Sequence, residues 1–95
     1  MIIAQVSVAP IGVGIELHEY IKAALEQIEK SGVRYELNAM ATVIEAEDID
    51  TLLKVVKEAH QAVIDKGAKR VITEVKIDDR RDKEATIESK IKAVQ

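Results

Sequence analysis

The chain predicts an α+β sandwich in which a four-stranded antiparallel sheet carries two helices on one face, with a short helix at the C-terminal end. Three observations predict it. Apolar spacing switches between a period of about two and a period of about 3.6, in the order β-α-β-β-α-β. Each of the two long helical stretches stops at a glycine, Gly32 or Gly67. A strand-like run follows each glycine, so the two halves repeat one plan. The compact arrangement of that plan is the ferredoxin-like split βαβ.

Each element has its own pattern. Residues 2–9 read as the first strand, with Ile2, Ala4, Val6 and Val8 on one face and Ile3, Gln5 and Ser7 on the other. Pro10, Gly12 and Gly14 then mark a loop. From Glu16 the spacing is helical, and Leu17, Ile21, Ala24, Leu25 and Ile28 form one stripe. "VRYEL", residues 33–37, and "ATVIEA", residues 41–46, are the next two strands. The link from Asn38 to Met40 implies an antiparallel hairpin, although no Asn-Gly turn signal is present. Glu47, Asp48 and Asp50 crowd the next helix start, where Asp can cap and the helix dipole favours acids. The expected buried stripe of that helix is Ile49, Leu52, Leu53, Val56, Ala59 and Val63, with Leu53 at its centre. "KRVITEVKID", residues 69–78, is the fourth strand, "DDRRDKE" a charged turn, and Ile87, Ile91 and Val94 line a last short helix.

Length and composition bound the function. With 95 residues, the chain is expected to be a single domain, 1–95, with a modest core. Cys is absent, which excludes disulfides and thiolate metal sites. Net charge is -3 and no basic stripe occurs, which argues against a nucleic-acid partner. The RNA-binding version of this fold needs aromatic residues on its central strands, and neither "IIAQVSVA" nor "ATVIEA" has one. No apolar run is long enough to cross a membrane. The stretch "MIIAQVSVAP" lacks a basic leader, so it reads as a strand and the expected location is cytoplasmic.

Other chemistries are weakly supported. "PIGVG" has no Lys-Ser/Thr after it, so it is not a P-loop. No Arg precedes Arg34, which argues against an acylphosphatase phosphate loop. His18 and His60 fall on different helices, and His60 is expected to be packed and hydrogen-bonded. Asp78, Asp79 and Asp82 lie beside Arg80 and Arg81, so an ion-pair turn is preferred to a cation site. No metal and no cofactor is expected. No nucleophile–base pair is apparent, so the chain reads as a non-enzyme.

The order and spacing of "VSVAPIGVG", "YELNAMATVIEAED" and "VKIDDR" resemble the thiamine-binding (YkoF-like) family of small ferredoxin-like proteins. The resemblance covers nearly the whole chain. It implies a homo-oligomer, commonly a homotetramer, and a pocket beside the sheet for thiamine or its hydroxymethylpyrimidine part. Carried onto this sequence, it implies ligand contacts from Asn38, Thr42 and Glu45, and from Ser7 on the first strand. Asn and Thr both donate and accept hydrogen bonds, which suits an aminopyrimidine. Carboxylates such as Glu45 or Glu74 suit its amino group or a thiazolium cation. Asn38 also suits a plain hairpin position, and either Glu a solvated strand position. Alternation places Thr42 and Glu45 on opposite faces of their strand, so both serve one pocket only through a bulge or a neighbouring subunit. Ala39 and Ala41 stand where the family often has Pro and Gly, and their methyl groups would narrow such a pocket. The alternatives to a binding protein are an enzyme or regulatory subunit using the same pocket, and a purely structural oligomer. In either case the half-apolar sheet face of Ile3, Gln5 and Ser7 is expected to be covered by another copy.

Overall fold

The computed structural model describes residues 1–95. Strand β1 spans Ile2–Ile11, helix α1 His18–Lys30, β2 Arg34–Leu37, β3 Thr42–Ala46, α2 Ile49–Asp65, β4 Arg70–Asp79 and α3 Ile87–Lys92. The strands form one sheet in the order β2-β3-β1-β4, with every neighbouring pair antiparallel. This is the ferredoxin-like arrangement that the repeated plan predicts.

Alternation along the strands builds the core on one face. Ile2, Ala4, Val6 and Val8 of β1 and Ile44 and Ala46 of β3 pack under Ala24 and Ile28 of α1 and Leu52, Val55, Ala59 and Val63 of α2. The largest fully sealed side chains are Ile44, Leu52 and Val63. A core of such small aliphatic groups depends on close fit between layers.

Helix ends follow their local chemistry. Asp48 caps α2, its carboxylate accepting from the Thr51 N–H at 2.7 Å. At the other end Gly67 takes a φ of +123°. The Gly67 N–H donates to the Ile64 carbonyl at 3.0 Å and the Ala68 N–H to the Val63 carbonyl at 3.4 Å, which satisfies carbonyls the helix leaves open.

Several boundaries differ from expectation. β1 continues through Pro10 to Ile11. Proline is tolerated because β3 pairs only with Ile2–Val6, so the far end of β1 has β4 alone as its neighbour. α1 begins at His18 and not at Glu16, since its N-cap, Leu17, supplies no side-chain cap bond to anchor an earlier turn. In α2 the buried stripe is Leu52, Val55, Ala59 and Val63, whereas Leu53 is 49% exposed. The apolar residues of α2 cover more than one stripe, so periodicity leaves the phase open by about one position, and contact with the sheet decides it. Val94 lies beyond the end of α3 and is exposed.

The second sheet face is partly covered from within the chain. α3 and the turn before it lie over the end of that face and bury Ile3, Glu45, Ala85 and Ile87. The remainder, including Gln5, Ile11 and Ile72, is exposed.

Candidate functional site

A cleft opens where β1 outruns β3. Its walls are the apolar side of α1, with Ile21, Ala24, Leu25 and Ile28, and the hairpin from Leu37 to Thr42; its floor is Val6 to Val8 of β1. Ten of its thirteen lining residues are hydrophobic, and the other three are Ser7, Asn38 and Thr42. Those three belong to the four residues that the family-like motifs single out. The cleft contains no charged residue.

The hairpin that forms one wall is unusual. The Asn38 N–H donates to the Ala41 carbonyl at 2.9 Å and closes the loop. Neither Ala39 nor Met40 has a positive φ, so this is not the primed turn that an Asn-Gly pair would make. Met40 at the tip is 89% exposed.

Each predicted residue has a definite place. Thr42 is buried, and its hydroxyl makes no hydrogen bond within the chain. No sealed side-chain oxygen or nitrogen in the protein lacks a partner, so that hydroxyl opens onto the cleft. Asn38 is exposed at the rim, its amide likewise free of protein partners. Ser7 pairs with Glu74 across β1 and β4, and alternation turns its hydroxyl to the other sheet face. It offers the cleft its backbone. Glu45 is not in the cleft. It faces the opposite side of β3, where its Oε1 accepts from the buried Ile87 N–H at 2.8 Å. No bulge brings Glu45 round, because β3 keeps regular register with both neighbours.

The cleft measures about 90 Å³. Sites that enclose a drug-sized molecule are commonly about 300–1,000 Å³, so this cleft admits part of one heteroaromatic ring. Ala39 and Ala41, whose methyl groups were expected to narrow a pocket here, both line it. The α1 residues that form the inner wall are missed by sequence reasoning, because Ile21, Ala24, Leu25 and Ile28 have the spacing of ordinary core positions.

A second groove of about 540 Å³ lies on the other sheet face, between α3 and the strands. Ile3, Gln5 and Val43 line it from the sheet, and Ile87, Lys90 and Ile91 from α3. Asn38 borders this groove as well as the cleft.

The remaining candidates are structural. His60 Nδ1 lies 2.6 Å from Thr73 Oγ1 between α2 and β4, the packed histidine that was expected. Neither residue borders the cleft or the groove. In the charged turn Arg80 pairs with Asp82 at 2.6 Å and Arg81 with Asp79 at 3.0 Å, as an ion-pair turn should. Each guanidinium holds its partner's carboxyl below the usual range. No group of three or more His, Asp or Glu is arranged to hold a metal ion. No helix is long and apolar enough to cross a membrane.

Fold and cleft together define a small ferredoxin-like protein with an uncharged, mostly apolar recess beside its sheet. Residues 4–95 match the family described as thiamine-binding protein, and the chain belongs to that family. A UPF0045 protein of Methanothermobacter thermautotrophicus is 45% identical over 96 residues, spanning 100% of this chain and 97% of that relative. UPF0045 protein YqgV of Bacillus subtilis is 40% identical over 99 residues, spanning 99% and 94%. Among solved structures, protein MJ1052 of Methanocaldococcus jannaschii aligns with a TM-score of 0.91 at 45% identity, covering 98% of this chain and 94% of that one. A Thermotoga maritima protein provisionally assigned to thiamine biosynthesis or salvage aligns with a TM-score of 0.82 at 28% identity, covering 99% and 98%.

Proposed function

We propose that the protein is a non-enzymatic homo-oligomer that binds hydroxymethylpyrimidine, or the pyrimidine end of thiamine, in the cleft between α1 and the hairpin. One observation carries the reading. The only non-apolar residues of the cleft are Ser7, Asn38 and Thr42. A concave, mostly apolar recess with a few polar groups is the usual form of a small-molecule site. The Thr42 hydroxyl and the Asn38 amide both donate and accept, and an aminopyrimidine needs both. The absence of charge in the cleft favours a neutral ring over a thiazolium cation, so the thiazolium of thiamine stays at the mouth, in water. The ring enters as the hairpin tip at Ala39 and Met40 moves outward. Membership of the thiamine-binding family supports the ligand class.

Glu45 serves the fold in this reading, by holding α3. A binding role is preferred to catalysis because the cleft contains no acid, base or activated nucleophile. The test is calorimetric titration of the wild type, Asn38→Ala and Thr42→Val with hydroxymethylpyrimidine and with thiamine. Saturable wild-type binding, weakened roughly two- to tenfold in each variant, is expected for loss of one neutral hydrogen bond. Equal binding by all three, or none by the wild type, overturns the reading.

A further inference from the structure

Helix α3 is held by two buried apolar side chains, one buried hydrogen bond and a set of exposed ion pairs. It has six residues, too few to be stable alone, and its N-cap is Thr86, whose hydroxyl accepts from the Ser89 N–H at 3.0 Å. From residue 84 onward only Ala85 and Ile87 are buried. The other attachments are exposed ion pairs and one buried hydrogen bond. Glu88 pairs with Arg34 on β2, and Lys90 Nζ lies 2.6 Å from Asp78 on β4. β2 and β4 are the two edges of the sheet, so α3 is a strap tied at both sides. Between these ties the Glu45 carboxylate of β3 accepts from the Ile87 N–H at 2.8 Å. The chain's amino terminus holds Glu84 at 2.7 Å, just ahead of the helix.

We propose that α3 is an ionic latch over the second sheet face, which swings on the charged turn 80–86 and controls access to the groove beneath it. Exposed ion pairs are weak one by one and are screened by salt. What remains when these are screened, the buried Ala85 and Ile87 side chains and the hydrogen bond from the Ile87 N–H to Glu45, is small beside the core between α1, α2 and the sheet. Opening α3 therefore costs less than opening the core, as expected of a local unfolding unit. The open form bares Ile3 and Glu45 and converts the groove into a continuous sheet face.

Hydrogen exchange tests the latch without any ligand. Amides of residues 84–92 should exchange roughly three- to tenfold faster at about 1 M salt than at low salt, while those of Leu52 to Val63 stay unchanged. Glu88→Gln and Asp78→Asn should each raise α3 exchange at low salt and reduce the salt effect. The chain has no cysteine, so Ile3→Cys supplies a single reporter whose thiol labelling should accelerate under the same conditions. Exchange of α3 that tracks α2 in every condition, or ignores both salt and the two substitutions, overturns the proposal.

Discussion

Leu52 and Leu53 are adjacent and chemically identical, yet Leu52 is sealed and Leu53 is 49% exposed. Periodicity names both as apolar, but only the sheet below α2 distinguishes them. Leu52→Ala should therefore cost about 2–5 kcal/mol through lost burial and a cavity. Leu53→Ala should cost at most about 0.5 kcal/mol, the range of exposed positions. Chemical denaturation of both variants checks this, and a larger loss at Leu53 would reverse the helix phase. Residue-scale legibility was similar in the cleft. Asn38 and Thr42 were readable as neighbours because one hairpin carries both, and both line the cleft. The partner of Glu45, the Ile87 N–H, was not readable because it lies 42 residues downstream. Alternation along β3 had already separated Thr42 from Glu45, and the local pattern was the better guide.

At the scale of elements, the helix termini and the charged ties set the response to acid. The Thr51 N–H lowers the Asp48 carboxyl below its ordinary range, and the hydrogen bond from Arg34 does the same to Glu88. The amino terminus depresses Glu84 in the same way. A carboxyl with a depressed folded value contributes stability that is fully present above its unfolded value. That contribution disappears as pH falls through the folded value. Thermal stability should thus decline on acidification below roughly pH 4, where ordinary carboxylates begin to protonate. Melting curves followed by circular dichroism at low ionic strength measure this. A rise in melting temperature between pH 5 and pH 3 would contradict the sign. Element type and order were legible because each long element has a clear period. Boundaries were less so: Pro10 reads locally as a break, and only the length of β3 shows that the end of β1 is a place where proline fits.

The whole molecule combines a thin core with one face that α3 covers only in part. Ile11 and Ile72 remain 40% and 44% exposed on the uncovered portion. We propose that another copy of the chain covers this surface in a homo-oligomer, expected as a dimer of dimers. Light scattering coupled to size exclusion at micromolar concentration checks it, and a stable monomer would contradict it. Topology was legible from the repeat of strand, helix and glycine alone. The covering role of α3 was not, since a six-residue helix after a charged turn carries no signal for the face on which it lands.

The central claim is that the cleft between α1 and the hairpin, and not the groove under α3, receives the ligand. Amide chemical-shift mapping during titration with hydroxymethylpyrimidine tests it most directly, because the two sites lie on opposite faces of the sheet. The largest shifts should fall on Asn38 to Thr42, on Val6 to Val8 and on the inner turns of α1, with Lys76, Ile87 and Ile91 unmoved. Shifts concentrated at Ile3, Gln5, Lys76 and Ile91, with the hairpin silent apart from Asn38, would contradict the account.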